Sequence, residues 1–161
     1  MAQVVKVGIA DMAIVSGDDT VTTIGLGSCI GIAIRDTQLK IGGLVHIMLP
    51  DSTQVKSNTT VAKFADTGIQ ELVKQLEAKG CVRRRMEAKI AGGAQMFAFQ
   101  NKQDLLSVGA RNIEASKAQL KSLGINLVAE DVGLNYGRTV VFNPQTGAYE
   151  VKAVGQPVKV I

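Results

Sequence analysis

The chain has 161 residues, of which 46% are hydrophobic and 20% charged, as is ordinary for one globular domain with a single apolar core. Its net charge of +4 is mostly dispersed, and an aromatic content of 4% without tryptophan argues against recognition of nucleic acid by base stacking. No run approaches the roughly 20 apolar residues that cross a bilayer, and the N-terminus lacks a signal-peptide layout, so we expect one cytoplasmic domain over residues 1–161 without membrane insertion.

The first third of the chain is predicted to consist of strands. Residues 4–9 and 11–15 alternate between apolar and polar side chains, and Gly17-Asp18-Asp19 is a turn signal that leads into a third strand at residues 20–24. This third strand delivers the chain to a glycine-rich turn.

That turn contains Cys29, and a second strand-like run at residues 41–49 contains His46, the only histidine. A short connection at residues 35–40 lets the two runs pair, which brings the cysteine beside the histidine. Thr23 and Cys29 face the same side of a regular strand, unless the intervening glycines introduce a bulge. The glycines around the cysteine, which permit close approach of a backbone or ligand, are Gly25, Gly27 and Gly31.

The clearest helix follows, with an apolar stripe over residues 61–76, a cap at Asn58 or Thr59 and a stop at Gly80. The triplet Arg83-Arg84-Arg85 is read as a solvated strand edge, with a docking role as the alternative. Residues 86–90 alternate as a strand that ends at Gly92-Gly93, a pair that either borders the active site or forms a tight turn.

A second helix is predicted over residues 110–123, with Gly124 as its stop, and a strand over 125–131. Two further strands, 138–142 and 148–154, flank a turn sequence and form a hairpin, after which the tail either adds an edge strand or lies free. Strands outnumber helices and come in hairpin-length pairs, so the predicted class is α+β with two main helices and a mixed or mainly antiparallel β core.

Cys29 and His46 admit two interpretations. A free thiol with a pKa near ~8.5 is mostly protonated at neutral pH, but a neighbouring imidazolium favours the thiolate, and the same ring can protonate a leaving group. Each residue alone is more often a buried core residue.

Two cysteines and one histidine make neither a disulfide framework nor an all-Cys/His zinc site, so we expect a reducing compartment, no metal and no cofactor.

Several motifs resemble the CheD family, the chemoreceptor glutamine deamidases of bacterial and archaeal chemotaxis. The resemblance covers nearly the whole chain and departs from the family pattern at Leu134, where a second glycine is expected. It is carried by Thr23-Ile24-Gly25-Leu26-Gly27-Ser28-Cys29, Gly42-Gly43, His46-Ile47-Met48-Leu49-Pro50, Lys89-Ile90-Ala91-Gly92-Gly93-Ala94-Gln95-Met96-Phe97, Arg111-Asn112-Ile113, Asp131-Val132-Gly133 and Gly137-Arg138.

The resemblance implies a layered αβ sandwich that hydrolyses the side-chain carboxamide of selected glutamines on methyl-accepting chemotaxis receptors, an activity that some members extend to methyl esters. It implies Cys29 as nucleophile, His46 as base and acid, and Thr23 as the hydroxyl that orients the imidazole. N–H groups of the turn from Gly27 to Cys29, in particular those of Gly27 and Ser28, are the candidates to hold the oxyanion. The alternative is a non-enzymatic regulator that binds receptors or a CheC-type phosphatase.

Overall fold

The computed structural model describes residues 2–54, 60–96 and 107–161, and within them the chain forms three layers. Two five-stranded sheets pack face to face, and two α-helices cover the outer face of one of them. The predicted α+β sandwich with two main helices is confirmed. None of the helices in these ranges is long and apolar enough to cross a membrane.

The elements follow the chain as strands, one helix, one strand, the second helix and a final group of strands. Their bounds are β1 (Val4–Val7), β2 (Met12–Val15), β3 (Thr20–Leu26), β4 (Ile30–Asp36), β5 (Gly42–Ile47), α1 (Ala65–Ala78), β6 (Met86–Gly92), α2 (Val108–Ser122), β7 (Asn126–Val132), β8 (Arg138–Phe142), β9 (Tyr149–Lys152) and β10 (Lys159–Val160).

The front sheet has the strand order β1-β3-β8-β9-β10, and the central sheet has the order β2-β5-β4-β6-β7. The pairs β1–β3 and β6–β7 are parallel, and the other described pairs are antiparallel. This is the mixed, mainly antiparallel pairing that the sequence predicts. The C-terminal tail forms the edge strand β10 beside β9.

Two apolar layers result from the alternation of side chains along the central strands. On β4, Ile30, Ile32 and Ile34 face the helices, where they pack with residues of α1 such as Leu72. The opposite face of the central sheet meets the front sheet in a second buried cluster, which includes Ala33, Leu44 and Val140 and which Cys29 contacts at its margin. The layer between the sheets is therefore where functional side chains can be enclosed.

Helix α1 begins four residues later than the sequence predicts. Residues Val61–Lys63 form a single 3₁₀ turn, and Phe64 is extended and bridges to Leu49, so the apolar stripe is interrupted before Ala65. The predicted caps Asn58 and Thr59 lie outside the described residues. The stop at Gly80 is confirmed, because its φ of +97° is the left-handed conformation that glycine adopts without steric cost.

The arginine triplet is not a solvated strand edge. It forms a 3₁₀ turn, and Arg85 donates hydrogen bonds of 2.9–3.2 Å to the carboxylate of Asp36, whose side chain is fully buried. Burial alone would raise the pKa of Asp36, but Arg85 and the N–H groups of Leu39, Val82 and Gln38 hold that pKa well below its usual range. The pair therefore ties the end of β4 to the start of β6.

We expect Asp36→Asn to lower the free energy of unfolding at pH 7 by about 3 kcal/mol, because removing one partner of a buried ion pair leaves the other uncompensated. Since its pKa is lower in the folded state, the contribution of Asp36 is present above about pH 4 and declines as the pH falls through the folded-state pKa. Urea denaturation at several pH values measures it. Arg83→Ala is the matched control, because its ion pair with Glu77 is exposed and should contribute no more than about 1 kcal/mol.

Candidate active site

The site begins at an irregularity in β3. Thr23 pairs with Val140 and Leu26 with Arg138, so two residues of β3, Ile24 and Gly25, lie opposite one residue of β8. This is a β-bulge with Gly25 at a φ of +76°. Ile24 is consequently 69% exposed and Leu26 is fully buried, which shifts the alternation after Thr23 by one residue. The sequence analysis allowed for a bulge at the glycines between Thr23 and Cys29, and the structure contains one.

The carbonyl groups of the following turn are fixed by hydrogen bonds. Gly27 O accepts from Ala94 N at 2.8 Å, and Cys29 O accepts from Gly93 N at 2.8 Å. A Cβ on Gly92 would overlap the carbonyl oxygen of Cys29. The glycine pair therefore lies against the backbone of the candidate nucleophile, and both glycines also have the positive φ of a turn.

Because a trans peptide is planar, a fixed carbonyl also fixes the N–H of the next residue in the opposite direction. The bond to Gly27 O therefore orients the Ser28 N–H. Within the described part of the chain, neither the Ser28 N–H nor the Cys29 N–H donates to a backbone carbonyl, whereas the Gly27 N–H donates to Gly25 O at 3.0 Å. The geometry thus favours Ser28 and Cys29 as oxyanion donors and corrects the expectation for Gly27, whose amide is used inside the turn.

Cys29 and His46 lie on neighbouring strands and face the same way. In the β4–β5 register Gly31 pairs with His46 and Ile30 with Ile47, and Cys29 directly precedes β4. Alternate residues share a face, so Cys29 and Gly31 both point towards the front sheet, as His46 does. Cys29 packs against the cluster between the sheets, so it lies on the same side of the central sheet as His46, and Gly31, the partner of the histidine, has no side chain to intervene.

Thr23 contacts His46 from the opposite sheet. Its Oγ1 lies 2.7 Å from the Nδ1 of His46 and donates to Val7 O, also at 2.7 Å. A hydroxyl has one hydrogen, so a hydroxyl that donates to a carbonyl must accept from the imidazole. The proton of the neutral ring is therefore on Nδ1. His46 Nε2 is buried and has no partner among the described residues, so its lone pair is available as a base.

Burial shifts both candidate catalytic groups towards their neutral forms. It lowers the pKa of His46 to about 4, and it raises the pKa of Cys29, although the backbone N–H of Cys29 partly opposes the second shift. These directions are opposite to those expected for a resting thiolate–imidazolium pair. At neutral pH the substrate-free site holds a thiol and a neutral imidazole.

The second cysteine is separated from the site. Cys81 is buried in the cluster between the central sheet and the helices, whereas Cys29 borders the cluster on the other side of that sheet. Both thiols are free. In the part of the chain that the structure describes, no group of three or more His, Cys, Asp or Glu side chains could hold a metal ion.

The sequence analysis did not single out Asn112 as a site residue, although it lies in the quoted motif Arg111-Asn112-Ile113. This residue of α2 is fully buried and its Nδ2 lies 2.9 Å from both Ser28 O and Met48 O. Asn112, Ser116 and Leu120 form one buried stripe at intervals of four residues. The sequence contained one signal that could have identified Asn112: it is a polar residue on the inward face of a predicted helix.

Leu134, the departure from the family pattern, retains the turn that a glycine would form. It has a φ of +60° directly after Gly133 at +80°, and its carbonyl accepts from Gln95 N at 2.9 Å. A left-handed leucine costs about 1 kcal/mol. The buried Arg138 supports this turn by donating to Gly133 O at 3.0 Å, so the segment stays beside the strand that leads to Gly92.

Two comparisons with known proteins, one with family models and one with individual sequences, identify one family. A protein-family model described as "CheD chemotactic sensory transduction" matches residues 48–153, a segment that begins just after His46. The chain is 54% identical to "Probable chemoreceptor glutamine deamidase CheD" of Lachnoclostridium phytofermentans over 100% of both chains. It is 46% identical to "Chemoreceptor glutamine deamidase CheD" of Halalkalibacterium halodurans, also over 100% of both. These full-length relatives include the Thr23–His46 region.

The tautomer of His46 can be measured directly, because the chain contains one histidine. We expect ¹⁵N imidazole NMR of the wild type to show the Nδ1–H form and a titration midpoint about pH 4. Thr23→Val removes the acceptor while keeping the side-chain shape, so the Nε2–H form should become populated. Thr23→Ser should restore the Nδ1–H form.

Thr22→Val is the matched control, since the Thr22 hydroxyl donates to Val140 O and does not contact His46. A wild-type ring protonated on Nε2, or a tautomer that is unchanged in Thr23→Val, would contradict the assignment.

Proposed function

Because this chain belongs to the CheD family, we propose that it is a chemoreceptor glutamine deamidase in which Cys29 is the nucleophile, His46 the general base and acid, and Thr23 the group that orients the imidazole. The observation that carries the assignment of roles is the hydrogen bond from His46 Nδ1 to Thr23 Oγ1, which leaves Nε2 as the proton acceptor on the face of the central sheet that also carries Cys29. The reaction converts a receptor glutamine into glutamate and ammonia.

In the first step the Cys29 sulfur attacks the carboxamide carbon while its proton passes to His46 Nε2. Burial raises the pKa of the resting thiol, so attack requires that His46 take the proton. The carbonyl oxygen of the substrate becomes an oxyanion, which the N–H groups of Ser28 and Cys29 stabilise. These donors are held in place before the substrate arrives, which minimises reorganisation during the reaction.

In the second step the tetrahedral intermediate collapses to a thioester. The imidazolium donates its Nε2 proton to the departing nitrogen, and the carbon–nitrogen bond breaks as ammonia leaves. Burial lowers the pKa of His46, which makes the imidazolium short-lived and a strong acid towards an amine. A threonine hydroxyl orients the ring but, unlike a carboxylate, adds no charge that would stabilise the imidazolium.

In the third step water hydrolyses the thioester. Neutral His46 removes a proton from the water as it attacks the thioester carbon, and the same proton then returns to the Cys29 sulfur. The products are the glutamate side chain and the free thiol, so the cycle consumes one water and releases one ammonia. The same sequence with methanol as leaving group gives hydrolysis of a methyl ester, which stays a prediction from the family resemblance.

The names of the relatives indicate a chemoreceptor as substrate. That it is the cytoplasmic part of a methyl-accepting receptor is a prediction from the family resemblance. A cytoplasmic location suits a free cysteine nucleophile, because a reducing compartment preserves the thiol. Binding of a CheC-type phosphatase also stays a prediction from the resemblance. A regulator that only binds would leave receptor glutamines unchanged, so one assay separates the two functions.

That assay incubates the purified protein with a receptor cytoplasmic fragment and follows conversion of glutamine to glutamate by mass spectrometry. We expect Cys29→Ala to abolish deamidation, because it removes the nucleophile from a turn that tolerates a small side chain. Cys81→Ser is the control and should retain activity, since that thiol lies on the other side of the central sheet. Substantial turnover by Cys29→Ala would contradict the thioester route.

The protonation state of the resting site predicts how Cys29 reacts with iodoacetamide. In a Cys81→Ser background, the alkylation rate should rise only in the alkaline range, because burial raises the pKa of the Cys29 thiol. At pH 7 the rate should fall in His46→Ala, because no base then accepts the thiol proton. A rate that is already at its plateau at pH 5–6 would show that a thiolate–imidazolium pair forms without substrate.

A further inference from the structure

We propose that Asn112 is a positioning residue for the reaction, whose side-chain amide fixes the turn that carries Cys29 against the strand that carries His46. The proposal rests on the function proposed above. It adds a third layer of the fold, helix α2, to a site otherwise built from the two sheets.

The bridging geometry is specific. The Nδ2 atom of Asn112 lies 2.9 Å from Ser28 O and 2.9 Å from Met48 O. These carbonyls flank the last residue pair of the β4–β5 ladder, Ile30 with Ile47. The two hydrogens of one amide group therefore link the strands just beyond the point where their backbone pairing ends.

The same hydrogen bond orients a proposed oxyanion donor. Ser28 C=O and Cys29 N–H belong to one planar peptide unit and point in opposite directions. By holding Ser28 O on the helix side, Asn112 directs the Cys29 N–H away from the helix. The bond between Ala94 N and Gly27 O does the same for the Ser28 N–H. Loss of the Asn112 amide would therefore affect both the oxyanion donor and the position of the nucleophile relative to the base.

The chemistry of the side chain supports this role over simple packing. Asn112 is fully buried, and its Oδ1 has no partner among the described residues. An unpaired buried acceptor lowers stability, so an apolar residue of similar shape would serve packing better. Aspartate would lack the two hydrogens and glutamine would be one carbon too long. Asn112 therefore acts through its Nδ2 hydrogens, which bind the two carbonyl groups.

The first test compares Asn112→Leu with the wild type in the receptor deamidation assay and in thermal unfolding. Leucine keeps the branched shape and removes both polar atoms. We expect kcat to fall about 10- to 100-fold with KM within about twofold, because misplacing a reacting group or an oxyanion donor affects the transition state. The melting temperature should fall by several degrees with the variant still folded at the assay temperature, because Ser28 O and Met48 O lose their donor. Asn112→Ala is the second variant if leucine prevents folding.

Ser116→Ala is the matched control. Ser116 lies one turn further along α2, is equally buried, and has a hydroxyl without a partner in the described ranges. It should change neither kcat nor KM. Wild-type kcat in a folded Asn112 variant, or an equal loss of kcat in Ser116→Ala, would overturn the proposal.

A second test needs no receptor and so remains decisive if the proposed deamidase function fails. Alkylation of Cys29 by iodoacetamide at pH 7 is measured for wild type, His46→Ala, Asn112→Leu and the double variant, all with Cys81→Ser. If Asn112 positions the thiol against the imidazole, His46→Ala should slow alkylation at least threefold less in the Asn112→Leu background than in the wild type. Equal ratios in the two backgrounds would show that Asn112 does not act through this pair.

Discussion

The site depends on a single hydroxyl hydrogen. Thr23 donates it to Val7 O, so its oxygen can only accept from His46 Nδ1, and the buried Nε2 is left with its lone pair. This bond joins the front sheet to the central sheet inside a buried layer, where a neutral network is stable and a charge is not. The low basicity of the ring and the neutral thiol follow from the same burial.

The second determinant is the orientation of three successive peptide units in the cysteine turn. Their carbonyl groups are held by Ala94, Gly93 and the side chain of Asn112, which come from two different segments of the chain. The amides of Ser28 and Cys29, on the opposite edges of the first two units, are thereby directed, although neither donates to a backbone carbonyl of the described residues. Close approach of Gly92 to the turn, which excludes any side chain there, makes this arrangement possible.

Much of this organisation was accessible from the sequence. Alternation predicted the strands, the turn compositions predicted the hairpins, and the pairing of the two runs placed the sole histidine beside Cys29. The parts that could not be predicted depend on contacts between distant residues. The bulge at Gly25 depends on which β8 residues it meets, Phe64 leaves the helical stripe to bridge to Leu49, and Arg85 finds a buried carboxylate that is 49 positions away. Asn112 looked like one polar residue on an apolar face, because its two acceptors lie on other elements.

The path of the chain between the sheets has a further consequence for evolution of the protein. The backbone leaves the front sheet at Leu26 and enters the central sheet at Ile30, so Cys29, the proposed nucleophile, lies on the crossover itself. Apolar residues such as Ala33 and Leu44, which only fill the layer between the sheets, set the distance across which Thr23 meets the imidazole. A substitution that changes the thickness of this layer therefore alters the packing between the sheets and the Thr23–His46 hydrogen bond together.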